Sequence, residues 1–131
     1  MNLLLDTHAF IWWDDDYGRL PVHLLSLLQN PEHTIYLSVV SIWEMQIKIQ
    51  LGKLKFDLPL PQKIREHQKR NNMQLLTITT DQIFALDNLP NHHRDPFDRL
   101  LIAQAQTENL TLVTRDSRIH QYDVKVIWDK I

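Results

Sequence analysis

The segment DPFDRLLIAQAQTENLTLVT, residues 95–114, carries the clearest secondary-structure signals in the chain. Asp95 is suited to cap a helix, and Pro96 fits the first helical turn, where no backbone N–H is needed. A helix over Pro96–Glu108, followed closely by an apolar strand over Thr111–Thr114, is typical of the repeating unit of an α/β protein. The segment therefore predicts a helix that leads into a buried strand.

The same alternation continues through the rest of the chain. The other predicted strands are Asn2–Leu5, Thr34–Val39, Leu75–Ile78 and Lys125–Ile127, and the other predicted helices are Pro21–Gln29, Pro61–Asn72 and Asp81–Leu89. Strands that alternate with helices predict a mainly parallel sheet covered on both faces. A length of 131 residues fits a single domain over residues 1–131.

Residues 41–51 fit two structures. The alternation of Trp43, Met45, Ile47, Ile49 and Leu51 is a strand pattern. Several strong helix formers and a following glycine favour a helix, and a strand continuing from the preceding one would be too long. We predict a helix over Ser41–Leu51, in which Ser41 and Glu44 match a capping box and Glu44 lies in the first turn.

Composition excludes several classes of site. The chain has 44% apolar and 23% charged residues, which is typical of a globular protein. The absence of cysteine excludes disulfides and thiolate metal sites, and two glycines are too few for a Gly-rich nucleotide-binding loop. The N-terminal stretch lacks the positive start of a signal peptide, and no apolar run is long enough to span a membrane, so we expect a cytoplasmic, unanchored protein.

Charge is unevenly distributed, although the net charge is only −2. Between Met45 and Asn72 there are seven basic residues and two acidic ones. This basic stretch could hold a polyanion, and Lys48, Lys53 and Lys55 are the candidates for contact with its backbone. The alternative is that these side chains only solvate an exposed helix.

Four acidic residues lie where predicted strands give way to helices. Asp6 follows the first strand, Glu44 the second and Asp116 the fourth, while Asp98 lies in the first turn of the helix from Pro96. Each acid could be a cap or turn residue when taken alone. Caps need not share one edge of a sheet, however, whereas ligand sites in parallel sheets form beyond the carboxyl ends of the strands. We therefore predict one acidic pocket.

Such a pocket needs counterions. Two carboxylates about 5 Å apart repel by roughly 3 kcal/mol at an effective dielectric constant near 20. The cluster would either bind protons at raised pKa values or bind cations. All-oxygen ligation suits Mg²⁺ or Mn²⁺, as one ion or two, and such ions promote phosphodiester cleavage.

Several motifs together resemble the PIN-domain family, and within it the toxin components of VapBC-type toxin–antitoxin modules. These motifs occur in family order along essentially the whole chain: LLLDTH (3–8), SVVSIWE (38–44), KIQLGKL (48–54), HRDPFDRLLIAQA (93–105) and LVTRD (112–116). The Asp-Pro-Phe-Asp-Arg run is the most specific of them.

The resemblance implies an α/β/α sandwich with a five-stranded parallel sheet. It implies an endoribonuclease that cleaves single-stranded RNA with Mg²⁺ or Mn²⁺, frequent homodimerisation, and inhibition by an antitoxin protein. Position by position, Asp6, Glu44 and Asp98 match the three central catalytic and metal-binding acids, and Asp116 matches the fourth. Supporting roles fall to Asp95, Thr7 and Thr114.

Other interpretations compete with this one. His92 and His93 could suggest zinc, although adjacent histidines rarely bind one ion and a solvated loop is the alternative. Trp12 and Trp13 could stack on bases or could belong to the core or a dimer surface. The whole chain could be a PIN-like module that binds RNA or protein without cleaving it. Phosphotransfer through an aspartyl nucleophile is disfavoured, because Asp6-Thr7-His8 lacks a second aspartate two positions on.

Overall fold

A five-stranded sheet forms the centre of the computed structural model, which describes residues 1–129. Its strands are β1 (Asn2–Leu5), β2 (Thr34–Ser38), β3 (Gln74–Leu76), β4 (Thr111–Val113) and β5 (Val126–Ile127). They lie in the order β3-β2-β1-β4-β5, and all four pairings are parallel. The predicted strands and the parallel sheet are confirmed, with shifts of one or two residues at the strand ends.

Six α-helices surround the sheet in the described part of the chain. They are α1 (Thr7–Asp15), α2 (Val22–Gln29), α3 (Val39–Gln50), α4 (Leu60–Asn71), α5 (Thr80–Ala85) and α6 (Pro96–Glu108). Short 3-10 turns occur at Tyr17–Arg19, Leu86–Asn88 and Ile119–Gln121. The sequence did not predict α1, and none of the helices within residues 1–129 has the length and apolar character needed to cross a membrane.

Successive side chains of β1 enter the two sides of the core. Leu3 and Leu5 pack with buried residues of α1, α2 and α4, whereas Leu4 packs with buried residues of α6. This alternation follows from the two-residue period of a strand. The sheet is therefore covered by helices on both faces, and the predicted α/β/α sandwich is confirmed.

The start of α3 differs from the prediction. The helix begins at Val39, and its N-cap is Ser38, whose Oγ accepts a hydrogen bond of 3.0 Å from the Val40 amide. The predicted capping box of Ser41 with Glu44 is therefore wrong, and Glu44 lies in the second turn. Ser41 is fully buried instead of capping. The physical reason is that Ser38, at the end of β2, satisfies the helix amides three residues earlier.

Proline positions also shift by one residue in two helices. Pro21 precedes α2 at its N-cap position, and α4 begins at Leu60, so that Pro61 is not its first residue. The helix from Pro96 is confirmed with its predicted bounds, and Asp95 caps it by accepting hydrogen bonds from the amides of Phe97 (2.8 Å) and Asp98 (3.2 Å).

The buried side-chain amide of Gln104 connects β2 to α6. Gln104 is fully buried, its Oε1 accepts a bond of 2.6 Å from the Ser38 hydroxyl, and its Nε2 donates to the Thr77 carbonyl (3.2 Å) and to Gln82 Oε1 (3.1 Å). These bonds tie the N-cap of α3 to the middle of α6. They thereby fix the two helices that carry Glu44 and Asp98.

Replacing Gln104 with leucine is expected to lower the free energy of unfolding by about 2 kcal/mol, because buried Ser38 and Gln82 and the carbonyl of Thr77 lose their hydrogen bonds. Chemical denaturation measures the effect. The control is Gln106→Leu, which removes a hydrogen bond of an exposed glutamine to the Asp123 carbonyl and should change stability by less than about 0.5 kcal/mol. Equal effects of the two substitutions would contradict the assigned role of Gln104.

Candidate active site

One cleft opens at the carboxyl-end edge of the sheet, with a volume of about 510 Å³. Its lining residues are Asp6, His8, Trp12, Glu44, Lys48, Asp95, Asp98, Arg115, Asp116, Ser117 and Arg118. The structure therefore brings together all four acids that the sequence grouped, with Asp95 beside them. They come from segments that are far apart in the chain and meet because parallel strands end at the same edge.

Asp6 links the end of β1 to the start of α1. Its amide donates to the Val113 carbonyl of β4 (3.0 Å), and its Oδ1 caps α1 by accepting from the Ala9 amide (2.8 Å). The pKa of Asp6 is raised to about 6: burial raises it most, hydrogen bonds from Thr114 and Ala9 lower it, and the charges of Asp116 and Glu44 raise it. Asp6 is thus a buried carboxyl group at the floor of the cleft.

Glu44 is held at both of its oxygens. Its Oε1 accepts a hydrogen bond of 2.6 Å from the Thr7 hydroxyl, and its Oε2 lies 3.0 Å from Lys48 Nζ one turn later on α3. The Ser41 hydroxyl lies 3.1 Å from Thr7 Oγ1. Thr7 therefore positions a carboxylate, which agrees with the supporting role that the resemblance implies, and Lys48 partly neutralises it.

Asp98 and Asp116 meet at a histidine. Nε2 of His93 lies 2.9 Å from Asp98 Oδ2 and 3.2 Å from Asp116 Oδ2. The pKa of Asp98 is raised to about 7, mainly by burial and then by the charges of Asp95 and Asp6, which together outweigh the opposing effect of His93.

Asp116 is stabilised in its charged form. Burial alone would raise the pKa of Asp116, but hydrogen bonds from the backbone and guanidinium of Arg118, at 2.9 and 3.3 Å, bring it below its usual value. Thr114 Oγ1 accepts from the Asp116 amide (3.1 Å), so the other predicted supporting threonine shapes the turn after β4.

Lysine and arginine side chains of the cleft pair with only two of the four grouped acids. Lys48 pairs with Glu44, and Arg118 pairs with Asp116. Asp6 and Asp98 have no lysine or arginine partner within residues 1–129, and they are the two acids whose pKa values are raised. The excess negative charge of the site is therefore concentrated where a divalent cation could compensate it.

His93 is a site residue that sequence reasoning missed. It was expected in a solvated loop, but it is 95% buried. Its backbone amide donates to the Tyr122 hydroxyl (2.9 Å), and Arg99 donates to the same hydroxyl (3.2 Å), so the loop is fixed to α6. The only signal in the sequence was its position within the HRDPFD motif.

Hydrogen bonding argues against His93 as a zinc ligand. Its Nδ1 accepts from the Asp95 amide (3.3 Å), so the ring hydrogen is on Nε2 and points to the two carboxylates. Nε2 lies close enough to Asp98 and Asp116 to share an ion with them. Metal binding there would move the hydrogen to Nδ1, where it would face another N–H. His93 therefore acts as a donor that orients Asp98 and Asp116.

Other predicted residues divide between the cleft and the rest of the surface. Lys48 lines the cleft, but Lys53 and Lys55 are exposed elsewhere and do not line it. Trp12 lines the cleft, whereas Trp13 is buried with its ring 4.6 Å from that of His67. Arg115 and Arg118 line the cleft and were not among the predicted contacts.

Comparison with known proteins gives the family. The model of the PIN domain family matches residues 3–125. The chain belongs to the PIN domain family. Ribonuclease VapC22 of Mycobacterium tuberculosis is 27% identical to this PIN domain over 122 residues, which are 92% of each chain.

Solved structures share the fold. A chain of the crystal structure of VapBC2 from Rickettsia felis, bound to a DNA fragment from its promoter, aligns with a TM-score of 0.72 and 20% identity, covering 98% of this PIN domain and 100% of that chain. A chain of VapBC-1 from nontypeable Haemophilus influenzae aligns with a TM-score of 0.68 and 20% identity, covering 97% of each. At these identities the likeness shows a common fold.

Replacing His93 with alanine in this PIN domain is expected to reduce nuclease turnover about 10- to 100-fold, because Asp98 and Asp116 lose the group that orients them. Single-turnover RNA cleavage at saturating Mn²⁺ measures it. The control is His92→Ala, which removes the exposed neighbouring histidine and should leave cleavage unchanged. If His93→Ala cleaves like the parent protein, the orienting role is refuted.

Proposed function

We propose that this PIN domain is a divalent-metal-dependent endoribonuclease that hydrolyses phosphodiester bonds of single-stranded RNA. The observation that carries the proposal is the convergence of Asp6, Glu44, Asp98 and Asp116 on one cleft, with two of the four lacking a cationic partner. Membership of the PIN domain family and the similarity to Ribonuclease VapC22 support the same activity.

The donor set fits a hard divalent cation. Asp6 and Asp98 would hold Mg²⁺ or Mn²⁺ directly, with Glu44 and Asp116 as further ligands or as acceptors for its waters. When bound, one ion or two would lower the pKa of water and stabilise the charge that develops on the phosphate oxygens. The buried, uncompensated carboxyl groups are the feature that makes this binding favourable, because the cation removes their mutual repulsion.

The side chains of the protein supply position and proton acceptance. Thr7 and Lys48 hold Glu44, and Arg118 and His93 hold Asp116, so that both carboxylates are fixed at the cleft. They orient the attacking water and accept its proton as the new phosphorus–oxygen bond forms. The leaving oxygen takes up a proton from solvent as the original phosphorus–oxygen bond breaks. Asp95 supports the site indirectly, since it caps α6 and thereby fixes Asp98.

The biological role we propose is that of the toxin in a toxin–antitoxin pair. The named relative is a VapC ribonuclease, and the structural neighbours are chains of VapBC complexes. We accordingly propose an antitoxin protein as partner, a homodimer as the assembly, a single functional domain and a cytoplasmic location. A neighbouring gene for a small DNA-binding protein, whose product inhibits the nuclease in a stoichiometric mixture, would support the pairing.

The direct experiment is cleavage of an RNA pool by the purified protein with Mn²⁺, Mg²⁺ or a chelator, followed by sequencing of the new ends. Defined ends that form only with metal are the expected result. RNA that is retained without products at every metal concentration would instead favour a non-catalytic binding module. Phosphate trapped on Asp6 would favour phosphotransfer. The hydrogen bond that Asp6 Oδ1 accepts from the Ala9 amide makes that oxygen a weaker nucleophile.

A further inference from the structure

One wall of the cleft is aromatic and cationic instead of acidic. His8 and Trp12, one turn apart on α1, and Arg115, directly after Thr114, line the cleft together. The rings of His8 and Trp12 lie 5.7 Å apart between centroids. Trp12 is half-buried, whereas His8 and Arg115 are exposed. This wall adjoins the carboxylates, because Arg115 precedes Asp116 and His8 follows Thr7.

Trp12 is anchored from the side of the core. Its ring meets the buried ring of Trp128 edge to face at 5.7 Å between centroids. Trp13, the next residue, turns into the core against His67 and does not line the cleft. The guanidinium carbon of Arg19, which pairs with Asp16, lies 5.3 Å from the centroid of the Trp12 ring and covers part of it, while the ring still lines the cleft. An indole held in this way presents a rigid surface to a ligand at little entropic cost.

Arg115 differs from the other two cations of the cleft. Lys48 and Arg118 are engaged by Glu44 and Asp116, but Arg115 forms no ion pair or side-chain hydrogen bond within the part of the chain that is described. Its guanidinium carbon lies 6.0 Å from the centroid of the Trp12 ring, at the outer limit of a cation–π contact. The group is therefore near the indole and still available to an anion.

We propose that His8, Trp12 and Arg115 form a nucleotide-binding subsite beside the carboxylates, in which Arg115 binds a backbone phosphate and Trp12, flanked by His8, packs against an unpaired base. The inference rests on the proposed ribonuclease function and adds to it the residues that select a single strand. A base can stack on an aromatic side chain only when it has left its neighbours, so a duplex offers this wall no free base face.

The charges of the site explain why a nucleotide-binding subsite lies beside the carboxylates. An RNA strand that enters a cleft lined by carboxylates is repelled until cations compensate. Arg115 supplies a cation that no acid among residues 1–129 pairs with, and it does so next to Asp116. The phosphate bound by Arg115 would therefore be close to the phosphate that is cleaved, and the Trp12 subsite would hold the nucleotide at that position.

Binding measurements separate the base from the phosphate. The parent is the Asp98→Asn protein, which keeps the RNA intact, and the ligand is a labelled single-stranded 12-nucleotide RNA followed by fluorescence anisotropy with Mg²⁺ present. Trp12→Leu should weaken binding about tenfold, as expected for loss of one base stack, and should leave the dependence on salt unchanged. Arg115→Gln should weaken binding and reduce the slope of log K against log salt by about 0.7, the value for one phosphate contact with a single strand.

Two matched substitutions control for side-chain type. Trp43→Leu removes an exposed tryptophan that does not line the cleft, and Arg65→Gln removes an exposed arginine of α4. Both should bind RNA like the parent. Trp12→Leu could also disturb packing on Trp128, so thermal unfolding of each variant is measured, and the exposed Arg115 provides the variant that does not affect the core.

A scan with abasic nucleotides locates the subsite. In the parent, removing the base at one position of the RNA should weaken binding, and Trp12→Leu should lose that sensitivity at the same position. A Trp12→Leu or Arg115→Gln protein that binds RNA as tightly as the parent would overturn the proposal. Equal affinity of the parent for a duplex of the same sequence would overturn it as well.

Failure of the subsite is distinguishable from failure of the ribonuclease function. If the protein with its natural carboxylates cleaves RNA and both variants cleave at its rate under subsaturating RNA, the subsite is wrong and the ribonuclease stands. If that protein does not cleave but the binding differences persist, the subsite stands on a domain that binds RNA without cutting it.

Discussion

Replacing Asp98 with asparagine is expected to reduce metal-dependent RNA cleavage by about 10³-fold or more. A divalent ion supplies several kcal/mol of transition-state stabilisation, and each 1.4 kcal/mol corresponds to a factor of about ten in rate. Of the four acids Asp6, Glu44, Asp98 and Asp116, Asp98 is one of the two without a lysine or arginine partner within residues 1–129, so its charge is available to the metal. Single-turnover cleavage of a fluorescent RNA, with the metal titrated at each protein concentration, measures the loss.

The same substitution should stabilise the metal-free protein at alkaline pH. Burial and neighbouring acids raise the pKa of Asp98 to about 7 in the folded state, above the value near 4 of an unfolded chain. The folded state therefore binds the extra proton between these values, and stability falls as pH rises through 7. Asparagine does not titrate, so the variant avoids this loss of stability. At pH 8 with chelator, its free energy of unfolding should be higher by on the order of 2 kcal/mol, which is measured as a higher melting temperature.

Asp81→Asn is the matched control, because Asp81 also lies in the first turn of a helix, α5, but is exposed and outside the cleft. It should change neither cleavage nor the pH dependence of stability. An Asp98→Asn protein that cleaves RNA at the original rate would refute the proposed chemistry. One that is inactive and also destabilised at pH 8 would instead indicate that Asp98 has a structural role.

Metal affinity is expected to fall by about 10³-fold between pH 8 and pH 5. Metal binding requires ionised carboxylates, and the pKa values of Asp6 and Asp98 are raised to about 6 and about 7 by burial and by the nearby acids. Both groups are ionised at pH 8. At pH 5 protonation costs about tenfold at Asp6 and about a hundredfold at Asp98. Calorimetric titration with Mn²⁺ at a series of pH values measures the dependence and the protons released.

The chelated protein provides the complementary measurement. A fixed Mn²⁺ concentration should raise the melting temperature strongly at pH 8 and only slightly at pH 5, because stabilisation by a ligand grows with the logarithm of its concentration divided by Kd, and Kd rises as the pH falls. Asp98→Asn should flatten the pH dependence of whatever affinity remains. A metal affinity that is constant from pH 5 to pH 8 would show that the ion does not displace protons from Asp6 and Asp98.

The order of strands and helices was predictable because the local signals agreed with the tertiary structure. The clearest case is α6, where Asp95 and Pro96 do at the N-terminus what their side-chain chemistry dictates. The grouping of the four acids followed from the same source, since parallel strands present their carboxyl ends together. The alternation of strands and helices was therefore sufficient to predict that the four acids share one cleft.

Features that depend on tertiary contacts were missed. Helix α1 contains few strong helix formers and is stabilised by its packing against β1 and by Asp6, which caps it. In the sequence, Asp6 was interpreted as a metal ligand. The cap of α3 was misplaced because both Ser38 and Ser41 can cap, and only the burial of Ser41 decides between them. His93 is oriented by Tyr122 and Arg99, and such long-range hydrogen bonds leave no local pattern.

The sheet order has a consequence for the cell that makes this protein. The central strand β1 precedes the other four strands of the sheet, whereas its neighbour β4 and the acid that follows it, Asp116, come late in the domain. A nascent chain still on the ribosome therefore lacks one wall of the cleft and the partner of His93 and Arg118. The topology therefore delays assembly of the candidate active site until most of the domain has been translated.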